Sequence, residues 1–145
     1  MLLRPAPEGN FQIETQVTLR PRQNFQFAGL IIYEADSHFM QAGREYCSAE
    51  GCMGEGLYMD YYQKGSVVKP DFGQLYRGSD PIRLRLNRME NTYTYEASTD
   101  GKVWFLIGTH ASDLNPVQIG LVTGQHLKGE ILTAVFDYFE VHSLP

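Results

Sequence analysis

The sequence predicts an all-β protein, an antiparallel sandwich or barrel built as one domain. Apolar and polar residues alternate in short runs, and the three-to-four-residue spacing of an amphipathic helix is almost absent. Gly, Asp, Asn and Pro separate these runs, which is typical of many short strands joined by turns. The chain has 145 residues, enough for a core of its own, and shows no internal repeat, low-complexity tract or linker. We therefore treat residues 1–145 as a single domain.

Each predicted strand rests on its own pattern of residues. Residues 11–19 alternate between apolar and polar almost perfectly, as a half-buried strand does. Residues 27–33 are continuously apolar, which predicts a central strand covered on both faces. The stretch at 64–81 is predicted to be a loop, of a length that is more often functional or mobile than ordinary. The remaining strands are predicted at 38–47, 57–63, 82–88, 92–98, 103–108, 117–123 and 131–142.

Two turns predict how the strands in the second half of the chain pair. A two-residue turn at 90–91 sets Leu84 opposite Ala97 and keeps apolar residues on one face. The Asp-Gly dipeptide at 100–101 suits a type I′ turn and sets Ala97 opposite Trp104, the only tryptophan. Trp104 is therefore predicted to hold strands together in the core rather than to bind a ligand. The predicted core face consists of Leu84, Leu86, Tyr93, Tyr95, Trp104 and Leu106.

The opposite face of these strands is the predicted ligand site. Arg85 lies opposite Glu96 and Glu96 opposite Phe105, with Ile107 on the same face. Charged groups hydrogen-bond sugar hydroxyls, and an aromatic ring stacks on the C–H face of a sugar. An ordinary solvated face with an ion pair worth about 0–1 kcal/mol is the alternative. The predicted ligand-binding residues are Arg83, Arg85, Glu96 and Phe105, flanked by Tyr58 and Tyr62, which are equally explained as one face of a strand.

Two cysteines bracket a short polar stretch, and the sequence leaves their state open. Cys47 and Cys52 lack the redox C-x-x-C spacing, and a zinc site would need ligands from elsewhere. One reading is a disulfide across four intervening residues, and the other is two free thiols near a loop. A disulfide would be the only indication in the sequence of an oxidising compartment.

The charge of the chain argues against two classes of partner. The net charge is −5, with 12 Lys and Arg against 17 Asp and Glu, whereas nucleic acids and anionic membranes favour a basic face. No stretch approaches the roughly 18 consecutive apolar residues of a membrane span. The N-terminal apolar run is too short for a secretory signal. The location stays open: cytoplasmic, or extracellular if a signal was removed or the domain was cut from a longer chain.

Four segments occur in an order that resembles the concanavalin A-like jelly-roll domains, especially the C-terminal β-sandwich of family 43 β-xylosidases and arabinofuranosidases. These segments are FAGLIIY at 27–33, IRLRLNR at 82–88, YEASTDGKVW at 95–104 and VFDYFEV at 135–141. The segment MQAGREY at 40–46 also resembles a related uncharacterised family, number 1349 of the unknown-function families. The resemblance implies an antiparallel two-sheet jelly-roll sandwich with one concave sheet, and often an accessory role beside a glycosidase.

The resemblance also gives a test for catalysis. Glucanases on this fold use a Glu-x-Asp-x-x-Glu strand whose carboxylates act as nucleophile and general acid. The nearest stretch, Glu-Ala-Asp-Ser-His-Phe at 34–39, has Phe39 where the last acid is needed, so this motif is absent. No cofactor is predicted, although calcium stays a weak candidate, because Asp36, Asp60 and Asp137 offer oxygen ligands without an EF-hand spacing.

These observations favour a non-catalytic carbohydrate-binding or glycosidase-accessory module. Its expected partners are a saccharide or polysaccharide and an adjacent glycosidase domain. Two alternatives stay open. One is a glycoside-active enzyme that uses carboxylates distant in sequence, and the other is a protein-interaction sandwich without a sugar ligand.

Overall fold

The computed structural model describes residues 1–78, 81–125 and 128–145, which form two antiparallel sheets packed face to face. None of the described residues lies in a helix, so none of them forms a helix that spans a membrane. The predicted all-β sandwich is confirmed. The strands are β1 (Leu2–Pro5), β2 (Phe11–Thr18), β3 (Gln26–Ala35), β4 (His38–Cys47), β5 (Gly54–Gln63), β6 (Ser66–Val67), β7 (Phe72–Leu75), β8 (Ile82–Met89), β9 (Thr92–Ser98), β10 (Phe105–Ala111), β11 (Gln118–Gly124) and β12 (Val135–Ser143).

The strands are divided into a large and a small sheet. The large sheet has seven strands in the order β1-β11-β3-β4-β5-β6, with β7 also paired to β5. The small sheet has five strands in the order β10-β9-β8-β2-β12. All ten pairings among the described residues are antiparallel, and four of them join strands that are far apart in the sequence. Each sheet therefore has one face turned to the other sheet and one outer face.

The core lies between the two sheets and follows from the alternation along each strand. In β2, apolar residues such as Ile13 and Val17 are fully buried, while the glutamines and glutamate between them are only half-buried. Fully burying one large apolar side chain stabilises the fold by about 1.5–3 kcal/mol. Those of the large sheet include Leu30, Ile32, Met40, Leu57 and Met59, and those of the small sheet include Phe11, Leu84, Leu86, Tyr93 and Tyr95.

The predicted register of β8 and β9 is confirmed. Leu86 pairs with Tyr95 and Leu84 with Ala97, and the turn consists of the two residues between Met89 and Thr92. Its first residue, Glu90, takes a φ of 54°, the left-handed conformation that this tight turn requires.

The predicted register of β9 and β10 is wrong by one residue. Asp100 accepts hydrogen bonds from the backbone N–H of Lys102 and Val103, at 2.8 and 2.9 Å, so a longer loop replaces the two-residue turn. Phe105 rather than Trp104 therefore pairs with Ala97. Because a one-residue shift moves every side chain to the other face, Phe105 packs against the core and Trp104 leaves it.

The same shift corrects two neighbouring assignments. Leu106, predicted to be in the core, pairs with Glu96 on the outer face and is 59% exposed. Ile107, predicted to lie beside Glu96, is buried in the core cluster. An irregularity in the pairing follows, so that Gly108 pairs with Tyr95.

The predicted loop at 64–81 contains two short strands that the sequence pattern did not reveal. Both β6 and β7 pair with β5, and β7 sets Gly73 opposite Tyr58 and Phe72 opposite Met59. Residues 79 and 80 of this predicted loop lie outside the described residues. The segment thus extends the large sheet beyond β5 and supplies side chains beside its outer face.

Candidate functional site

A pocket of about 420 Å³ lies on the outer face of the large sheet, a volume within the usual range for small-molecule sites. Its lining includes alternate residues of the two neighbouring strands β4 and β5. Their intervening residues face the core, which is why the strands present acids, an amide and phenol rings outward while burying apolar side chains inward. We call this surface the pocket face. Its central residues are Gln41, Glu45, Tyr58, Asp60 and Tyr62.

Two chain segments complete the lining of the pocket. The first is the stretch after β4, which includes Glu50 and Met53 and is closed by a disulfide between Cys47 and Cys52, whose Cα atoms lie 5.5 Å apart. The second is the segment that contains β6 and β7. It contributes Val67, Lys69, Asp71, Phe72 and Gly73.

The two central acids of the pocket differ in their hydrogen bonds. Asp60 accepts a hydrogen bond from the Nε2 of Gln41 at 3.0 Å. Glu45 is only 8% exposed, and no described residue donates a hydrogen bond to its carboxyl group. Burial, together with the nearby charge of Asp60, raises the pKa of Glu45 to about 8. Burial also raises the pKa of Asp60, although the hydrogen bond from Gln41 and the charge of Lys69 act against that change.

The aromatic rings of the pocket are held in fixed positions. The hydroxyl group of Tyr58 donates to the carbonyl of Gly54 at 2.8 Å and accepts from the backbone N–H of Met53 at 3.2 Å. The ring of Tyr62 stacks on Phe39, with centroids 4.6 Å apart and planes inclined by 17°. Burial raises the pKa of both tyrosines, so both stay neutral near pH 7. Rings that are already ordered lose less conformational freedom when a ligand binds.

Glycines leave space around these rings. Gly43 pairs with Tyr58 on one side and with Gly29 on the other, so no side chain stands between the tyrosine and the middle of the sheet. A Cβ atom on Gly73 would lie 2.7 Å from the Cε of Met53, at the flexible end of that side chain, and 3.1 Å from the Tyr58 ring, which is tighter than most real contacts. The pocket face therefore depends on the absence of side chains at these positions.

The outer face of the small sheet is different, because its charged groups are paired with one another. The guanidinium group of Arg85 donates to Glu14 at 3.0 and 3.2 Å and lies 3.6 Å from the centroid of the Trp104 ring. Glu14 also accepts from the hydroxyl group of Tyr138 at 2.7 Å. Glu96, the predicted partner of Arg85, is 4.0 Å from it and is the weaker contact. We call this surface the paired face.

The structure does not bring the predicted ligand residues together. Arg83, Arg85 and Glu96 lie on the paired face, whereas Tyr58 and Tyr62 lie on the pocket face, on the opposite side of the sandwich. The remaining member of the set packs against the core, as described above. A single surface that contains all six is therefore ruled out by the topology of the two sheets.

The candidate calcium ligands are also separate. Asp36, in the turn after β3, accepts from the hydroxyl group of Tyr33, and Asp137, in β12, accepts from Gln16. Asp60 lies in β5 on the pocket face. Within the described ranges, no three His, Cys, Asp or Glu side chains form a group that could hold a metal ion.

Glu45 was missed as a site residue, although the sequence contains a signal for it. Alternation along β4 places Gln41, Gly43 and Glu45 on the face opposite to Met40 and Ala42. A strand with one apolar face and with an amide, a glycine and an acid on the other is a candidate floor for a polar site. The segments that line the pocket beside Glu45 are the stretch after β4 and the stretch that contains β7, and the strand pattern does not predict that they come together there.

The comparisons with known proteins agree with this architecture. A family described as "Protein of unknown function (DUF1349)" matches residues 1–144. No curated protein matches the chain. Among solved structures, the GH43 protein BlXynB from Bacillus licheniformis is similar at 15% identity and a TM-score of 0.83, over 98% of this chain and 29% of that chain. The chain therefore spans less than a third of that protein.

Two further structures are similar over nearly all of this chain. A functionally unknown protein from Saccharomyces cerevisiae has 16% identity and a TM-score of 0.79, with 99% of this chain and 73% of that chain covered. Sheep galectin-11, in a complex with glycerol, has 11% identity and a TM-score of 0.59, with 97% and 96% covered. At these identities the likeness shows the fold alone. The resemblance to GH43 β-sandwich domains and to the unknown-function family is confirmed.

Proposed function

The chain belongs to the DUF1349 family of proteins of unknown function, and we propose that this member is a non-catalytic carbohydrate-binding module whose ligand lies on the pocket face. One observation carries the proposal. A pocket of about 420 Å³ combines two immobilised tyrosine rings with an amide and two carboxyl groups. A saccharide needs both kinds of group at once, since its hydroxyls take hydrogen bonds and its C–H faces pack on aromatic rings.

The likeness to GH43 structures supports an accessory role. The match covers 98% of this chain but only 29% of the GH43 chain, so this chain corresponds to one part of a larger enzyme. We therefore propose an adjacent glycosidase domain, in the same chain or in a separate one, as its working partner. The disulfide between Cys47 and Cys52 favours an oxidising compartment, where extracellular polysaccharides are met.

A second candidate is glycoside hydrolysis, because two carboxyl groups with raised pKa values line one pocket. Their positions argue against it. Asp60 pairs with Gln41 and Glu45 with Gly56, so the backbone positions of the two acids are displaced along neighbouring strands by about 14 Å at a rise of about 3.4 Å per residue. Glycosidases hold their two carboxyl groups about 5–9.5 Å apart, so both side chains would have to lean towards each other along the strands to reach this separation.

Binding is tested with a glycan array and affinity electrophoresis on the purified chain. The chain offers a matched pair of variants for the site. Gln41 and Gln16 are both strand glutamines that donate to an aspartate, the first to Asp60 on the pocket face and the second to Asp137 on the opposite side. We expect Gln41→Ala to weaken the ligand found by the array roughly three- to tenfold. Gln16→Ala is expected to leave affinity unchanged.

A larger loss is expected when the aromatic surface is removed. Tyr62→Ala takes away the ring that stacks on Phe39 and is expected to reduce affinity by tenfold or more, with the fold intact by circular dichroism. Equal losses for Gln41→Ala and Gln16→Ala would move the site away from the pocket face. Release of new reducing ends from a bound glycan would favour the enzyme. If the chain binds no glycan, the protein-interaction alternative takes its place.

A further inference from the structure

Glu45 is a deeply buried acid of the pocket face that has no hydrogen-bond donor among the described residues. It lines the pocket, is more than nine-tenths buried, and receives no hydrogen bond from any described residue. The other central acid, Asp60, has Gln41 as a donor. The residue is buried but its carboxyl oxygens are not fully enclosed, so the pocket is the side from which a donor can reach them. A ligand group in the pocket provides such a donor.

The charge of the lining indicates what kind of donor fits. Lys69 is the single lysine or arginine among the described lining residues, and it already pairs with Asp71. No described histidine lines the pocket. This excess of negative charge would repel an anionic ligand such as a uronic acid and would attract a cation. The four lining acids are Glu45, Glu50, Asp60 and Asp71.

Resting on the carbohydrate-binding function above, we infer that the preferred ligand is a saccharide that carries an ammonium group, an amino sugar, and that Glu45 binds this group. Tyr58 and Tyr62 alternate with Asp60 on the adjacent strand, so they present phenol rings to the same pocket. The face of an aromatic ring attracts a cation, which adds to the pairing with the carboxylate. Neutral and N-acetylated saccharides lack the charge and leave Glu45 without a charged partner.

Binding of an ammonium group would be accompanied by release of a proton. With a pKa of about 8, Glu45 carries a proton in about nine-tenths of empty molecules at pH 7. The ammonium group pairs with the carboxylate form, so a ligand that enters as the ammonium form displaces the carboxyl proton to solvent, whereas a free amine would take that proton up itself. The other titratable groups that face this pocket are Glu50, Asp60, Asp71, Lys69, Tyr58 and Tyr62.

The test is isothermal titration calorimetry on the whole chain with three probes of equal length: a glucosamine oligomer, its N-acetylated counterpart and a glucuronic acid oligomer. Each titration is run below the pKa of the sugar amine, so that the ligand is in its ammonium form and Glu45 of the empty protein is protonated, and in two buffers that differ in ionisation enthalpy, which measures the protons released. We expect the glucosamine oligomer to bind roughly ten- to a hundredfold more tightly than the other two. It is expected to release close to one proton per site, and the N-acetylated oligomer none.

Matched variants assign these effects to Glu45. Glu45→Gln keeps the shape of the side chain and is expected to abolish both the preference and the proton release. Glu96→Gln is the control, because Glu96 is a carboxylate on the paired face that accepts a hydrogen bond from Asn87 at 2.9 Å. This variant is expected to keep both effects.

The outcomes separate this inference from the function on which it rests. Equal affinity for all three probes without proton release, or a preference for the glucuronic acid oligomer, overturns the inference and leaves carbohydrate binding in place. Persistence of the preference in Glu45→Gln also overturns it. Binding of no probe and of no neutral glycan on the array removes both. Selectivity and proton release are measured on the unmodified chain, so they decide the matter even if a variant does not fold.

Discussion

The two outer faces of this sandwich carry similar residue types but differ in how the acids on them are hydrogen-bonded. On the paired face, Glu14 accepts from Arg85 and from Tyr138, so its carboxylate is satisfied within the chain. On the pocket face, Glu45 is more deeply buried and has no described donor. A polar surface that satisfies itself needs no ligand for stability. One that leaves a buried acid without a partner has the property expected of a binding site.

The faces also differ in how much side chain they carry. Glycines stand next to each other at the middle of the pocket face, where Gly29 pairs with Gly43. The corresponding positions of the paired face carry long side chains, as where Arg85 pairs with Glu14 on one side and Glu96 on the other. The middle of one face therefore lacks side chains where two strands lie close together, whereas the other face is covered by interlocked side chains.

The largest effect is expected from the unpaired acid and depends on pH. The folded state raises the pKa of Glu45 from 4.5 to about 8, so the folded protein holds this proton more tightly than the unfolded chain. Stability is therefore greatest below about pH 4.5 with respect to this group and falls as the pH rises towards 8, by up to about 4 kcal/mol. Urea denaturation of Glu45→Gln is expected to match the parent near pH 4 and to exceed its stability near pH 8.

The control for this prediction is the paired acid. Glu96→Gln, measured over the same pH range, is expected to retain the parent's loss of stability above about pH 4.5. Asp60 contributes in the same direction as Glu45, so Glu45→Gln is expected to reduce the slope rather than remove it. A parent whose stability is flat between these pH values would contradict the unpaired state of Glu45.

The second effect tests the glycines of the pocket face. A Cβ atom on Gly29 would lie 2.8 Å from the carbonyl carbon of Ala42 and closer still to other backbone atoms, so the two strands would have to separate. Gly29→Ala is expected to lower the free energy of unfolding by about 3 kcal/mol. Gly124, on β11 of the same sheet, is the control, because a Cβ atom added there would have no other atom within 4 Å. A loss of similar size in Gly124→Ala would contradict the steric explanation.

The sequence was sufficient for the fold and for part of the pairing. Alternation predicted nine strands and their division into apolar and polar faces, and a tight turn fixed the pairing of Leu86 with Tyr95. The predicted pairing of β9 with β10 is wrong because the side chain of Asp100 caps a longer loop, which a dipeptide pattern does not reveal. That single error moved Trp104 and Phe105 to the wrong faces.

The site was harder to predict than the fold for a related reason. Glu45 reads as an ordinary outward-facing residue, and its burial arises only when the segments that contain the disulfide and β7 come together beside it. Those segments lack a periodic pattern, so their positions follow from tertiary packing rather than from local propensity. The residues of the paired face, by contrast, can be predicted from alternation, and most of the predicted ligand site was assigned to them.

The third effect concerns the disulfide beside the pocket. The bond between Cys47 and Cys52 closes a loop of five residue steps. Restricting an unfolded chain by so short a loop stabilises the fold by about 2 kcal/mol. The double variant with both cysteines changed to alanine is expected to lose this amount in urea denaturation and to bind glycans more weakly, because Glu50 and Met53 lose their anchor. Unchanged affinity would show that this segment is not part of the ligand site.

The smallest effect is expected on the paired face. Arg85→Ala removes two hydrogen bonds to Glu14 and the cation over Trp104, but Glu14 keeps the hydroxyl group of Tyr138 as a donor. These groups are partly exposed, so we expect a loss of only about 1–2 kcal/mol in the free energy of unfolding. Glycan affinity is expected to stay the same, since the pocket lies across the sandwich. If Arg85→Ala abolishes glycan binding while the fold persists, the ligand site is on the paired face. The interlocked charged groups would then form the binding surface, and the unpaired acid of the pocket face would not mark the ligand site.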